Sequence, residues 1–479
     1  MATSGVVPPL PRGVGRGVGV LAAERGTAGG AGTRPFKSQR LRLKTPSPQP
    51  SPGGRGGGQL PSGGRYAHLD GLRGVAALAV AFCHFAFAFQ PALLSGNPAQ
   101  GAAAAATGLS KTPLVLLWSP DCAVTVFFVL SGFVLQASVA GAPGDRPALR
   151  LLGSVLRRWV RLAGPILGSS LLIWAVVAAG GLRNAPAAEA NGSGWLAMHF
   201  GWLAWQSNSL PALVEQSMFG IFATATHWWN AALWTMPVEF WGSVGVFVLH
   251  AVLGRAQGWV RASVLVAVTA GLLSGLAGAG AANGAGFGFG ALLWEARRWV
   301  TAPGRLAWCA GAAAFTAGVV LGGMPYDLLG TPYWPGFVLA SGWLTEPVLA
   351  AHRVGAGLLV LAALAWPPLG WALRRPPVLA LGRVSFMVYL LHIILICSLA
   401  SWLVLRLTPA WGYDGATAAA LAATLAALFP LAAAMTWAAD RPAIAWSRRV
   451  EQLVLTPWAR SVRDSKVLPS PSPSGRGPG

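Results

Sequence analysis

From residue 68 onward the chain is a succession of apolar runs separated by short polar loops. The runs fall at 72–90, 121–138, 161–180, 232–252, 261–280, 284–296, 305–323, 353–372, 382–405 and 415–437. A helix needs about 20 apolar residues to cross the ~30 Å hydrocarbon core of a bilayer, so most of these runs read as membrane spans. The 284–296 run is short and Gly-rich, and reads equally as a re-entrant or broken helix. The expected fold class is all-α, a polytopic transmembrane helical bundle of about ten spans. Gly and Ala recur throughout, and in lipid such small residues let helix backbones approach closely.

Both flanks lack this pattern. Residues 1–65 are rich in Gly, Pro, Ser and Arg and show no apolar periodicity, so they are expected to form a disordered basic leader. Glu24 is the only acid before His68. An acid-poor leader containing Arg and Ser has the character of an organelle transit peptide, and a plain basic cytosolic tail fits as well. Residues 441–479 are expected to be a disordered cytosolic tail, leaving 66–440 as the membrane domain.

Basic residues orient the bundle. If the N-terminal tail is cytosolic, the same side receives Arg146, Arg150, Arg157, Arg158 and Arg161, then Arg255 and Arg261. It goes on to receive Arg297, Arg298 and Arg305, then Arg374 and Arg375, and finally Arg441, Arg448 and Arg449. The opposite loops hold little beyond Lys111, Arg183 and Arg353. The positive-inside rule then places both termini in the cytosol, or in the stroma for a plastid envelope. Removing the weak 284–296 span would break the alternation for every later loop. Plastid envelope, secretory membranes and plasma membrane all accommodate this orientation.

Composition narrows the class. The chain is 54% hydrophobic and 10% charged, with a mean hydropathy of +0.55, against about 25% charge in ordinary soluble domains. A net charge of +21 would suggest nucleic acid in a soluble protein. Here the charge sits in short patches between apolar runs, so membrane lipid rather than nucleic acid is the expected surface partner. The four cysteines include no C-x-x-C pair and lie in or beside apolar runs. They read as inert thiols, and no metal site is expected.

The largest outer loop, 181–231, is rich in Trp, Asn and His. It reads as short interfacial helices anchored by Trp202, Trp205, Trp228 and Trp229, or as an acceptor mouth. Asn191-Gly192-Ser193 is a glycosylation sequon on the same side.

The segment HLDGLRGVAALAVAFCHF, residues 68–85, carries the most chemistry. Arg73 and His84 are eleven positions apart, close to three helical turns and about 16 Å, so both project from one face. An arginine at the interface can hold phosphate with a planar fork of donors. A histidine deeper in the same cavity can take a proton from a hydroxyl. Asp70, three positions before Arg73, is placed to orient it or to cap the helix. Glu239 is the only acid of the fourth run, and a buried carboxylate needs a donor, with His84 or a polar substrate as the candidates. His227, Trp228 and Trp229 precede that run and could bind an acceptor or form an interfacial belt. Ser131-Gly132 lacks the G-x-S-x-G setting of a nucleophile elbow. It reads instead as a place where a helix or a pantetheine arm comes close. The cluster from Arg146 to Arg161 sets topology or gathers nucleotide phosphates. Ser385, Tyr389 and His392 share one face of the ninth run.

At these residues the chain resembles the acyltransferase family 3 of integral-membrane O-acyltransferases. The blocks are HLDGLRGVAALAVAFCH at 68–84, FFVLSGFVLQ at 127–136, RRWVRLAGP at 157–165, LWTMPVEFW at 233–241 and LGRVSFMVYLLH at 381–392, in family order. The resemblance implies about ten core spans and an acyl-CoA donor, with acetyl favoured, approaching from the cytosol. No tightly bound cofactor is implied. The acceptor is then a hydroxyl of a carbohydrate or another small molecule. The implied catalytic residues are His84, Glu239 and Arg73, and the donor-binding candidates are Arg73, Arg157, Arg158 and Ser131. The departure is MPVEFW, where many relatives carry a serine–leucine pair before the acid. A secondary transporter or exporter of a polar small molecule is the alternative that buried charges and broken helices would also suit. The two halves show no internal repeat to support it.

Overall fold

The computed structural model describes residues 66–91, 112–140, 147–201, 209–225, 227–325 and 346–466. All regular structure among the described residues is helical. The main elements begin with α1 (Ala67–Phe89), α2 (Pro120–Ala140) and α3 (Pro147–Ala178). Two short helices follow, α4 (Asn184–Asn191) and α5 (Gly194–Met198). The chain continues through α6 (Thr235–Leu253), α7 (Gly258–Leu273), α8 (Ala285–Val300), α9 (Arg305–Gly322) and α10 (Pro347–Ala365). It closes with α11 (Pro376–Leu395), α12 (Ser401–Met435) and α13 (Arg441–Lys466).

Seven helical runs are long and apolar enough to cross a membrane: Ala67–Phe89, Pro120–Ala140, Ala148–Ala178, Ala231–Leu253, Arg305–Gly322, Pro347–Ala365 and Pro376–Val454. The protein is therefore an all-α, multi-pass membrane bundle with seven candidate spans rather than ten among the described residues. The difference has two sources. The runs at 261–280 and 284–296 fall on α7 and α8, each 16 residues and so about 24 Å long, short of the hydrocarbon thickness. The runs at 382–405 and 415–437 fall in one 79-residue helical stretch. That stretch is broken at Gly412, whose φ of 70° and ψ of 168° are not helical. Just past the break, the Tyr413 hydroxyl donates to the Phe89 carbonyl at the end of α1, at 2.6 Å.

Close backbone approach sets the register of the bundle. A Cβ on Gly74 would lie 2.6 Å from the backbone nitrogen of Gly382, and one on Gly382 would lie 2.2 Å from the carbonyl oxygen of Asp70. His84 meets His392 farther along the same two helices, so α1 and α11 run parallel. α2 and α8 are also parallel: Gly286 faces Phe128 near their starts, and Gln136 donates to Glu295 at 3.0 Å farther on. By contrast α9 and α10 are antiparallel, with Gly322 against Gly355 and Gly311 against Trp366. α7 and α8 are antiparallel as well, with Thr269 against Gly288 and Arg261 paired to Glu295 at 3.2 Å.

α13 occupies the first part of the stretch expected as a disordered tail. It lies on α3, where Ala443 packs against Gly164 and Glu451 pairs with Arg157 at 2.9 Å. At the junction before it, Asp440 pairs with Arg161. The leader, 1–65, lies outside the described residues, as do Arg146, Lys111, Trp202 and Trp205. Cys83, Cys122 and Cys397 are buried free thiols, whereas Cys309 is exposed.

Replacing Gly382 by Val forces side-chain carbons into the backbone of α1. We expect Gly382→Val to destabilise the bundle by at least about 1–3 kcal/mol, the usual cost of overpacking. Thermal unfolding in detergent, followed by size-exclusion chromatography, measures this, and an unchanged melting profile would contradict the packing.

Candidate active site

His84 lies five positions before Phe89 at the end of α1, about 8 Å from that end. Its Nδ1 is 2.8 Å from Nε2 of His392, and the two rings stack with centroids 4.9 Å apart. Nδ1 of His392 is in turn 2.7 Å from the Tyr389 carbonyl oxygen. His392 is fully buried, whereas His84 is only partly so. Nε2 of His84 has no hydrogen-bond partner among the described residues. The Tyr389 hydroxyl donates to the Ala232 carbonyl at 2.9 Å and lies 3.0 Å from the Thr235 hydroxyl. Asn230 donates to the Leu390 carbonyl at 2.8 Å. The start of α6 thus clasps the α11 segment that carries His392.

The α4–α5 segment lies against this pair. The Ser193 hydroxyl caps α5 by accepting from the Leu196 amide at 3.3 Å, as Ser does at helix starts. α5 presents Trp195, whose ring lies 5.7 Å from that of His84. The ring of His199 lies on Trp195 at 3.8 Å, and its Nδ1 is 2.6 Å from the Trp195 carbonyl. Burial holds His199 below the ordinary histidine range, opposed by that backbone bond. It is therefore neutral near pH 7. The column His392–His84–Trp195–His199 runs from the buried interior to the end of α5. Asn191 of the sequon donates to the Ala88 carbonyl and to the Tyr413 hydroxyl, both at 3.2 Å. A glycan there would replace one of the two N–H donors and so break at least one of these bonds.

A second polar cluster joins α2, α3 and α6. The Arg158 guanidinium donates to Glu239 Oε1 at 2.6 Å and to the Ser243 hydroxyl at 2.8 Å. The Ser131 hydroxyl also donates to Glu239 Oε1. Glu239 Oε2 is buried and has no partner among the described residues. Arg73 and Arg161 are close enough to act electrostatically on Arg158. Arg73 itself pairs with Asp70 at 3.0 Å, as their spacing suggests.

The structure therefore brings together Ser131, Arg158 and Glu239, and pairs His84 with His392. It does not pair Glu239 with His84, which was one expected partner. Arg157 is turned away from Arg158 and binds Glu451. Trp229 is buried rather than interfacial, while Trp228 is exposed. Trp195 and His199 escaped the sequence reading, although their four-residue spacing within a Trp- and His-rich loop was a usable signal. Among the described residues, no group of three or more His, Cys, Asp or Glu is arranged to hold a metal ion.

The profile of the acyltransferase 3 family, an acyltransferase domain, matches residues 66–437, and the chain belongs to that family. No match was found among curated proteins or among solved structures. The protein is thus a multi-pass membrane acyltransferase that transfers groups other than aminoacyl groups.

The Arg158–Glu239 pair is largely shielded, with side-chain exposures of 16% and 13%. Breaking a buried pair strands the remaining charge and costs about 3–5 kcal/mol, whereas removing both partners costs much less. Arg158→Met should therefore destabilise the protein strongly, and adding Glu239→Gln should recover much of the loss. A double-mutant cycle on detergent melting temperatures checks this, and additive losses would show that the two do not act as a pair.

Proposed function

We propose that this acyltransferase moves an acetyl group from acetyl-CoA to a hydroxyl of a carbohydrate or another small acceptor, with His84 as general base. The observation that carries this reading is the partly exposed His84, with its Nε2 unpartnered among the described residues, backed by buried His392. Arg73, about 16 Å away on the same face of α1, lies with Arg158 and Arg161 in a basic group that suits the donor's phosphates. The thioester then extends along α1 toward His84, and the acceptor enters beneath Trp195. His84 takes the hydroxyl proton as the oxygen attacks the thioester carbonyl. The carbon–oxygen bond forms, the carbon–sulfur bond breaks, and the proton passes to the departing CoA thiolate. The products are the acetyl ester and free CoA. Direct transfer needs no further group. Ser131 is committed to Glu239, which favours a supporting role over a nucleophilic one.

The reading includes ten crossings with both termini cytosolic. It is supported by the helix directions: α1 with α11 and α2 with α8 are parallel, while α7 with α8 and α9 with α10 are antiparallel. Alternate crossing requires that order, and a locally thinned bilayer accommodates the shorter α7 and α8.

Two outcomes test these readings. Purified protein in nanodiscs, given labelled acetyl-CoA and a panel of soluble glycans and pyranosides, should label an acceptor and release CoA. His84→Ala should lower that rate by about 10²–10⁴-fold, the cost of losing a general base, and wild-type transfer by the variant would remove His84 from the chemistry. In a background lacking the native cysteines, single cysteines at Ala190, Gly258 and Arg375 report the topology. Only the one at 190 should react with an impermeant reagent from the outer side, and outer labelling at 375 would exclude ten crossings.

A further inference from the structure

We infer that His392 is a positioning residue that fixes the tautomer of His84, so that the lone pair of His84 Nε2 faces the acceptor hydroxyl. This rests on the proposed role of His84 as base and adds to it the group that prepares the base. The argument follows one hydrogen-bond chain. A carbonyl oxygen only accepts, so the His392 Nδ1 that lies 2.7 Å from the Tyr389 carbonyl carries a proton. In a neutral ring, Nε2 of His392 is then an acceptor. The atom 2.8 Å from it, Nδ1 of His84, must therefore donate. A neutral His84 with its proton on Nδ1 keeps an unprotonated Nε2, the nitrogen that has no partner among the described residues. The opposite tautomer would turn an N–H toward the acceptor and leave His84 unable to take a proton there.

Other contacts reinforce the assignment. The direction of the chain is held from its far end. The Asn230 amide holds the Leu390 carbonyl, and the Tyr389 hydroxyl is tied to the Ala232 carbonyl. The Tyr389 carbonyl that orients His392 therefore has little freedom to turn. His392 is fully buried and is placed behind the base, not against a substrate.

The test combines kinetics with a spectroscopic reading of the tautomer. Protein in nanodiscs is labelled with ¹⁵N only in its seven histidines, and the His84 signals are assigned by their loss in His84→Asn. The two nitrogens of a neutral imidazole give different shifts in the two tautomers. Wild-type protein should show His84 protonated on Nδ1. His392→Phe keeps a planar ring of similar size but removes the acceptor, and should shift His84 toward a tautomer mixture. It should lower kcat for labelled acetyl-CoA at least about 10-fold with little change in KM. The upper bound is the ~10⁴-fold loss seen when a catalytic histidine is held in the wrong tautomer. His392→Gln offers an amide oxygen to Nδ1 and should restore most of the rate.

Observation of His84 protonated on Nε2 in the wild type would overturn the inference. So would an unchanged kcat in His392→Phe, or a change confined to KM. An inactive His84→Ala beside a fully active His392→Phe would leave the base assignment standing and remove only His392. An active His84→Ala would remove both. If both variants at 392 fail to insert, the wild-type spectrum decides by itself.

Discussion

The contact on which the candidate site depends is made of backbone, not of catalytic side chains. In lipid no hydrophobic drive holds helices together, and close packing of small residues takes its place. α1 and α11 meet where Gly74 lies against Gly382 and Gly71 lies against Val378. The two helices run parallel, so a common step of ten residues from Gly74 and from Gly382 arrives at His84 and His392. A slip of one turn, about 5.4 Å, would put each histidine against an apolar neighbour. The glycines near the Arg73 end thus determine whether the imidazoles meet near the other end of α1. The bonds from Asn230 and Tyr389 across to the other element hold the same register from the far side.

What could be read from the sequence follows from what periodicity encodes. The Asp70–Arg73 pair, the shared face of Arg73 and His84, and the line of Ser385, Tyr389 and His392 are all local, because a single helix fixes them. Which helix lies opposite is not local, and the expected match of Glu239 with His84 failed there. Both residues needed a partner, and nothing in either segment says that α3 lies nearer to Glu239 than α1 does. The arginines of α3 show the same limit. Arg157 and Arg158 are neighbours in sequence but point about 100° apart around the helix. One meets Glu451 of α13, and the other meets Glu239 of α6. Arg161, four residues after Arg157, returns to the first direction and meets Asp440.

The helix limits were hidden for a related reason. Hydropathy finds apolar runs but not the helix limits that packing imposes. α7 and α8 stop at 16 residues, with Gly275 and Gly278 in left-handed conformations between them. α13 was missed from the opposite direction. Its charged residues hid its inward positions, Ala443 and Ser447, which only have meaning once α3 is present to cover them. The Trp195 cap falls between these cases, since a five-residue helix carries too little periodicity to announce itself.

The two polar clusters solve the same problem, polar groups away from water, in different ways. Arginine offers Glu239 a fixed fork of donors and an opposite charge, so the two form a pair that needs no substrate to complete it. That suits a fixed support between α2, α3 and α6, and Ser131 and Ser243 add donors and acceptors to it. A carboxylate placed against His84 would act differently. It would bias the ring toward the imidazolium before the acceptor arrives. A second neutral imidazole orients the first without offering it a countercharge. In the proposed mechanism the positive charge then develops only as the acceptor attacks, and it is relieved when the proton leaves with CoA. Keeping Glu239 on Arg158 and His84 on His392 separates a permanent charge pair from a transient one. The helix packing enforces that separation by placing α3, rather than α1, against the carboxylate.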